Sequence, residues 1–413
     1  MDRRHFLIGT TALAASTRAA HAADDVTVGI VYPLTGNGAA VGLDAKAAYE
    51  VAADIINATH APIGVSMGKG GGFDKLGGAK LKLVFADSQN DPQKARAEAE
   101  RLITQDNAVA IVGSYTSATG ATISQVTERY EVPYISSDNS SPSLHQRGLK
   151  WFFRTGPHDE MFTKGMFDFL ADIAKKTGRP AKSIALFYED SIFGTDSSNA
   201  QRKLATAAGI TIAADIRYRA ASPSLSTEAQ KLKAANADVL LPSSYTSDAI
   251  LILRAMNEIG YKPKAILAQA AGFQESAFMQ AAGTLAEGAM SRSSFALDAD
   301  KLRPAIPVVN ALYKAHNNKN MNDNTSRNIT ALLTLADAIN RAGSAKPDAI
   351  RTALTTTNIP GNETIMPWAG IKFDETGQNT LCNPVIQQIF DGTYKTIWPF
   401  DLATRDTVWT VGT

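Results

Sequence analysis

Polar and aromatic side chains follow several apolar segments of this sequence, at the points where predicted strands end. Their hydroxyl, carboxyl and amide groups could hydrogen-bond a small ligand, and the aromatic rings could form a cleft wall. In an open parallel sheet, ligands bind outside the carboxyl ends of the strands, close to helix N-termini. A hydroxyl in such a turn can equally cap the following helix, so both roles stay open. The candidate ligand-binding residues are Tyr115, Ser117, Asp138, Asn139, Ser140, Phe193, Tyr245 and Gln269.

Patterns that would support catalysis or a bound cofactor are missing. The glycines of residues 36–42 are spaced G-x-G-x-x-x-G, and residues 33–35 separate them from the preceding strand, unlike a dinucleotide-binding turn. Residues 68–70 (GKG) lack the Ser or Thr of a phosphate-binding loop. No two histidines after residue 22 have a metal-ligand spacing, and Cys382 has no histidine nearby. We therefore expect no cofactor, no metal and no enzymatic activity.

The elements that must position the candidate residues alternate between short apolar segments and amphipathic helices. This pattern predicts an α/β fold, with doubly wound, parallel-type sheets in two runs that divide near residues 154–157. Three consecutive helices (306–317, 328–342 and 346–356) and a strand-rich tail with an Asp391-Gly392 hairpin then follow. The predicted strands of the two runs are 26–31, 81–87, 108–112, 133–136, 183–188, 211–218, 239–242 and 265–268.

The first 22 residues have the pattern of an export signal. Arg3 and Arg4 precede a short apolar segment, and Ala20-His21-Ala22 forms a small-x-small end, which predicts cleavage before Ala23. The paired arginines resemble the twin-arginine form of such signals, although the general secretory route stays open. The sequence therefore predicts a periplasmic protein whose mature chain is not anchored in the membrane.

The charge of the chain argues against a nucleic-acid partner. Lysine and arginine number 41 and aspartate and glutamate 40, for a formal net charge of +1. Such a balance provides no basic excess to neutralise phosphates. With one cysteine there is no internal disulfide, so a chain of this length must be stabilised by buried area, and two domains are the default expectation.

The chain resembles the periplasmic solute-binding proteins of the leucine/isoleucine/valine type, which serve ATP-binding-cassette importers. The resemblance rests on the order of several segments: 28–36 (VGIVYPLTG), 91–92 (DP), 112–113 (VG), 132–135 (VPYI), 153–155 (FRT), 189–194 (EDSIFG) and 370–374 (GIKFD). It implies two lobes joined by a three-crossover hinge. The implied division is 23–154 with 293–365 for the first lobe, and 155–292 with 366–413 for the second.

The resemblance also implies roles for the candidate residues. Ser117 would hold a ligand carboxylate, and Asp138 and Ser140 would lie in the next ligand-contacting loop. Phe193 and Tyr245 would be aromatic wall residues, and Gln269 takes the place of the acid that pairs the ligand's α-ammonium. Because Gln269 is neutral, Asp138 is the alternative partner of that ammonium, and a closed site should offer Asp138 a donor.

The predicted function is therefore that of a monomeric binding subunit. It would close its lobes on a branched-chain or other hydrophobic amino acid, or on a related small polar solute, and deliver it to membrane permease subunits. Amides, polyols and aromatic acids stay open as ligands. An exported cofactor-dependent oxidoreductase and the sensing domain of a receptor are the alternatives from other classes.

Overall fold

A computed structural model of the protein describes residues 25–412, so the predicted export signal at 1–22 lies outside the described residues. The strands of the first sheet are β1 (Val26–Tyr32), β2 (Leu81–Asp87), β3 (Ala110–Gly113), β4 (Tyr134–Ser136) and β5 (Phe152–Arg154). This sheet is entirely parallel, in the order β2-β1-β3-β4-β5. Its first three connecting helices are α1 (Ala39–Asn57), α2 (Pro92–Thr104) and α3 (Ser117–Tyr130).

Strand β1 shows why this sheet is covered on both faces. Val28 and Ile30 point into a hydrophobic cluster with α1, whereas Val31 points into the cluster formed with α2 and α3. Successive side chains of a strand face opposite sides, so a strand buried on both sides is apolar almost throughout. The predicted strand at 26–31 has this continuous apolar character.

A second set of elements follows β5. Its helices are α4 (Asp159–Thr177), α5 (Ile192–Ala207), α6 (Ser226–Ala235), α7 (Thr246–Glu258) and α8 (Ser276–Ala282). Its strands are β6 (Ser183–Glu189), β7 (Thr211–Tyr218), β8 (Val239–Ser243), β9 (Leu267–Ala268) and β10 (Met290–Ser293). Strands β7, β6 and β8 are parallel neighbours, and a parallel bridge between Leu240 and Ile266 joins β8 to the β9–β10 pair.

The chain then returns to the first sheet through three helices, close to those predicted: α9 (Ala305–Asn317), α10 (Asp323–Ala342) and α11 (Pro347–Thr355). Two short strands, β11 (Ile359–Pro360) and β12 (Gly370–Ile371), form a small antiparallel pair. Trp368, Ile371 and Phe373 pack in the same hydrophobic cluster as β1. These three residues were expected in the second lobe, whereas they pack with the first sheet.

The last strands extend the second sheet. Strands β13 (Val385–Phe390) and β14 (Thr393–Trp398) are antiparallel, and β13 pairs with β10. Asp391 and Gly392 both have positive φ, 51° and 68°, as a two-residue type I′ turn requires, which confirms the predicted hairpin. The α/β fold class is confirmed, and the second sheet is mixed because of these strands.

Hydrogen bonds tie two of the connections between the sheets together. Gln378 accepts from Arg154 Nε at 2.7 Å and donates to the Gly156 carbonyl at 2.9 Å. Asn379 donates to the Thr155 carbonyl at 2.9 Å. The chain passes between the sheets here, after β5 and before β13, and also after β10. We therefore propose that the third crossing lies after Cys382 rather than at residue 366.

Candidate functional site

A small enclosed cavity of about 10 Å³ lies where the loops of the two sheets meet. Polar residues from the first sheet's loops face an aromatic wall from the second sheet's loops. Space of this size is about that of one water molecule, so a solute reaches the cavity only if the lobes separate. The lining residues are Tyr115, Ser117, Asp138, Ser140, Phe193, Tyr245, Ala271, Arg292, Asn324 and Arg327.

The first wall is the turn between β3 and α3. Thr116 is the N-cap of α3, and its hydroxyl accepts from the Thr119 N–H at 3.3 Å. Because Thr116 performs the capping, the neighbouring Ser117 is not needed as a cap and lies in the cavity lining. Its hydroxyl accepts only a 3.3 Å hydrogen bond from the Ser141 backbone. Helix capping and cavity lining are therefore performed by different residues: Thr116 caps α3, and Ser117 lines the cavity.

Asn139 lies beneath this wall rather than in the lining. Its amide donates to the carbonyls of Ser114 and Thr116 at 2.8 and 2.7 Å, and its oxygen accepts from Tyr134 at 2.7 Å. The side chain therefore joins the loop after β4 to the loop after β3. These contacts make Asn139 a residue that positions the site, although the sequence placed it among the ligand contacts.

Asp138 is buried in the cavity lining, and one of its two carboxylate oxygens accepts a hydrogen bond. Tyr32 donates to its Oδ2 at 2.6 Å, whereas Oδ1 has no hydrogen-bond partner. The nearest ion-pair atom is Arg327 Nε, 3.5 Å from Oδ1. Burial raises the pKa of Asp138 to about 6, against the opposing effects of Arg327 and Tyr32. The protein itself thus supplies the donor that we expected a closed site to offer.

The second wall is aromatic. The Tyr245 ring lies between those of Tyr115 and Phe193, with centroid distances of 5.2 Å to each. Such spacing is typical of favourable aromatic pairs. Tyr115 belongs to the first sheet's loops, so the Tyr115–Tyr245 contact bridges the cleft. The predicted aromatic wall residues are both in the lining.

Gln269 does not line the cavity. Its amide donates to Asp159 Oδ1 at 3.1 Å, and its oxygen accepts from Gln201 at 3.1 Å and from Thr163 at 3.3 Å. These bonds join α4, α5 and β9 beneath the wall, while Ala271, two residues further, reaches the lining. Positional comparison alone does not reveal this two-residue offset between the expected position and the residue that lines the cavity.

Two arginines complete the lining, and sequence reasoning missed both. Arg292 lies on β10, a strand that was not predicted, and Arg327 lies in the first turns of α10, just before the predicted helix start. Both side chains are almost fully buried. Arg292 lies near the carboxyl end of β10, where a ligand contact is expected, but this short strand shows no sequence period that would have pointed to it.

Carboxyl groups surround the arginines. Asp323 bridges them, with Oδ2 at 3.3 Å from Arg292 Nη1 and 3.1 Å from Arg327 Nη2. Burial alone would raise the pKa of Asp323, but the two arginines hold it below its ordinary value. Burial raises the pKa of Glu275 well above its ordinary range, and this side chain accepts from the Asn324 amide. Burial therefore favours the neutral form of Glu275, whereas the two arginines favour the ionised form of Asp323.

Among residues 25–412, no group of three or more histidine, cysteine, aspartate or glutamate side chains is arranged to hold a metal ion. Within the same range, no helix is long and apolar enough to span a membrane. The chemistry that the arrangement supports is recognition: buried donors and acceptors face one small cavity beside aromatic rings.

Comparisons with known proteins agree with this arrangement. The sequence profile of the periplasmic binding protein family matches residues 25–393. The chain is 30% identical over 399 residues to Leu/Ile/Val-binding protein homolog 7 of Brucella abortus (strain 2308), covering 95% of this chain and 96% of that protein.

Solved structures share the fold. The leucine-binding protein LivK of Thermotoga maritima superposes with a TM-score of 0.77 at 21% identity, covering 91% of this chain and 99% of that chain. A solute-binding protein of Rhodopseudomonas palustris BisB5, in complex with 3,4-dihydroxy benzoic acid, gives 0.73 at 18% identity, covering 90% and 95%. The family match favours a binding protein over the oxidoreductase alternative. The chain belongs to the periplasmic binding protein family, as a solute-binding protein of the Leu/Ile/Val-binding type.

Proposed function

We propose that the protein is the extracytoplasmic binding subunit of an ATP-binding-cassette importer, and that it holds a branched-chain or other hydrophobic amino acid between its lobes. The observation that carries this proposal is the cavity lined from both sheets. Ser117 and Asp138 offer polar contacts on one side, and Phe193 and Tyr245 offer apolar contact area on the other. Membrane permease subunits would receive the solute, and the export signal at residues 1–22 would bring the protein to the periplasm.

Lobe closure is the proposed functional motion. The three connections between the sheets form a hinge, and the walls of the cleft meet through Tyr115 and Tyr245. A second contact across the cleft joins Ser143 to Asp196. The Ser143 hydroxyl donates to Asp196 Oδ2 at 2.6 Å. A ligand that contacts both walls would stabilise this closed arrangement over an open one by its differential affinity.

An aromatic acid is the second candidate ligand. Three aromatic rings line the cavity beside Arg292, which would pair with a carboxylate. One structural neighbour was solved with 3,4-dihydroxy benzoic acid, which makes this class worth including in a ligand panel. The two candidates differ in whether the ligand carries an ammonium group.

Thermal unfolding of the mature protein against a ligand panel tests the proposal. The protein would be refolded to remove carried-over ligand, then heated with amino acids, amides, polyols and aromatic acids. A ligand that binds only the folded state, at about 100 times its Kd, adds roughly 2.7 kcal/mol and shifts Tm visibly. A shift with hydrophobic amino acids supports the proposal, and no shift with any solute contradicts it.

A further inference from the structure

A second pocket lies between the two lobes, apart from the solute cavity. Its volume is about 430 Å³, a size that accommodates a small molecule. We call it the junction pocket; its lining residues fall within 274–280, 295–297, 314–323, 387 and 392–394. These segments belong to α8, the chain after β10, the end of α9 with the loop to α10, and the β13–β14 hairpin. Of the described residues, none lines both this pocket and the solute cavity.

Both lobes supply apolar side chains to the junction pocket. Phe295, Leu297 and Met321 pack with the hydrophobic cluster of the first sheet. Met279 and Tyr394 pack with a separate cluster of the second sheet. A molecule in the pocket would therefore contact apolar surface of both lobes, and the pocket would come apart when the lobes separate.

Gln387 is a polar residue in an otherwise apolar row. Because side chains alternate along a strand, Gln387 shares one face of β13 with Val385 and Ile389, which pack in the clusters of the first and second sheets. Gln387 is only 4% exposed, and within residues 25–412 its side-chain amide has no hydrogen-bond partner. A buried amide without a partner is costly. The amide therefore has hydrogen-bonding capacity for a molecule in the pocket.

Three charged residues line the junction pocket, and two of them are already paired. Lys319 Nζ lies 2.6 Å from Asp44 Oδ1, and Asp323 pairs with the two arginines of the solute cavity. Lys314, on α9, forms no ion pair with any residue in the described part of the chain. The pocket thus carries one uncompensated positive charge, which is complementary to an anion. A carboxylate accepts hydrogen bonds from an ammonium and from an amide N–H alike.

We propose that the junction pocket is a second ligand site, which binds a small carboxylate with an apolar body. The carboxylate contacts Lys314 and the Gln387 amide, and the apolar body lies among Met279, Leu297 and Tyr394. Because both lobes form the site, its occupant favours the closed arrangement of the lobes. This effect on closure rests on the proposed function, whereas the presence of the site does not.

Binding of 4-phenylbutyrate to the mature protein tests the site. Its Kd would be measured by calorimetry beside that of 4-phenylbutanamide, which has the same apolar body without the charge. We expect the carboxylate to bind at least about fivefold more tightly, because it alone pairs with the Lys314 ammonium. Equal affinities of the two compounds, or no binding of 4-phenylbutyrate, would overturn the proposal.

Variants locate the bound carboxylate. Lys314→Gln and Gln387→Leu should each weaken 4-phenylbutyrate binding at least about fivefold. Lys301→Gln, at an exposed lysine that does not line the pocket, is the matched control and should bind as the wild type does. Tyr245→Ala alters the solute cavity alone and should also leave this Kd unchanged. Weaker binding in Tyr245→Ala together with wild-type affinity in Lys314→Gln would place the compound in the solute cavity and overturn the proposal.

Reactivity of Cys382 tests the effect on closure with no solute in the cleft. This thiol is fully buried beside the segments that cross between the sheets, so its reaction with Ellman's reagent requires an opening of the structure. Saturating 4-phenylbutyrate should slow the reaction at least about threefold, and less in Lys314→Gln at the same concentration. An unchanged rate with the compound bound would overturn the link to closure. Failure of every solute in the ligand panel would contradict the proposed function, whereas binding of 4-phenylbutyrate through Lys314 would still support the second site.

Discussion

Single side chains at this site divide into those that face the cavity and those that hold them in place. Tyr245 and Ser117 line the cavity, whereas the side chains of Asn139 and Gln269 form hydrogen bonds with neighbouring segments of the protein. The distinction follows from saturation: a buried amide whose oxygen and nitrogen are both satisfied by protein has no capacity left for a ligand. We therefore expect substitutions of the cavity-facing residues to lower ligand affinity, and substitutions of the saturated residues to lower the stability of the fold.

Replacing Tyr245 by alanine should weaken solute binding by roughly 1–3 kcal/mol with little change in the overall fold, because it removes the ring between Tyr115 and Phe193. Ser117→Ala should weaken binding within the same range by removing a buried hydroxyl. Calorimetric titration of the best ligand measures both. Tyr261→Ala, which changes a residue after the end of α7 that does not line the cavity, is the control and should bind normally; unchanged affinity in both site variants would remove the proposed site.

The carboxyl of Asp138 should make stability depend on pH. Burial raises its pKa from 3.8 to about 6 in the folded protein. Between these values the folded state binds a proton that the unfolded state has lost, so this group's contribution to stability falls as pH rises from about 4 to 6. Asp138→Asn should abolish that part of the decline, at most about 3 kcal/mol.

Urea unfolding at pH 4, 5, 6 and 7 measures this dependence in both proteins. Asp54→Asn, an exposed substitution on α1, is the control and should follow the wild type. A stability difference between Asp138→Asn and the wild type that stays constant over this range would contradict the assignment.

At the scale of elements, two helices from different lobes meet across the cleft. One is the short 3-10 helix Pro142–Arg147, which follows β4, and the other is α5, which belongs to the second sheet. Ser143 joins them by donating its hydroxyl and its backbone N–H to Asp196 Oδ2, at 2.6 and 3.4 Å. Hydrogen bonds to a carboxylate are stronger than neutral ones, so this contact should contribute to holding the lobes together.

Asp196→Ala should speed ligand release. Loss of the contact would destabilise the closed arrangement by roughly 1 kcal/mol, which corresponds to about a fivefold faster dissociation rate. The association rate should change little, because the contact forms only on closure. Stopped-flow fluorescence measures both rates. Asp168→Ala, which removes only an exposed pair with Lys164 on α4, is the matched control; equal dissociation rates in the two variants would contradict the closing role.

At the scale of the whole molecule, two sheets with separate hydrophobic cores are joined by a small hinge. Arg154, Gln378 and Asn379 connect two of the crossing segments by buried hydrogen bonds. Cys382 lies beside them and is fully buried, and its thiol donates to the Asn379 carbonyl at 3.2 Å. Its position makes the single thiol a probe of hinge opening.

Cys382 should react slowly with a thiol reagent in the native protein, by at least about 100-fold relative to the protein in denaturant. Burial raises the pKa of the thiol and excludes the reagent, so reaction requires an opening of the structure. A bound solute that favours the closed form should slow the reaction further. Ellman's reagent at pH 8 measures these rates, and a native rate equal to the denatured one would contradict the burial of the hinge.

The sequence by itself determined the α/β class, the return of three helices after the second run, and the Asp391-Gly392 hairpin. These follow from local periodicity and turn chemistry, which do not depend on distant partners. It also placed Tyr115, Ser117, Asp138, Ser140, Phe193 and Tyr245 near one another, because the carboxyl ends of parallel strands meet at one edge. The family followed from the order of its short segments.

Only the tertiary structure decided which polar groups stay free for a ligand. Gln269 and Asn139 were saturated by neighbours distant in sequence, and Arg292 was brought in by β10, too short to show a period. The same holds for residues 368–373, whose burial beside β1 depends on helices returning to the first sheet. Hydrogen-bond satisfaction and lobe assignment are properties of three-dimensional neighbours, which no local pattern encodes.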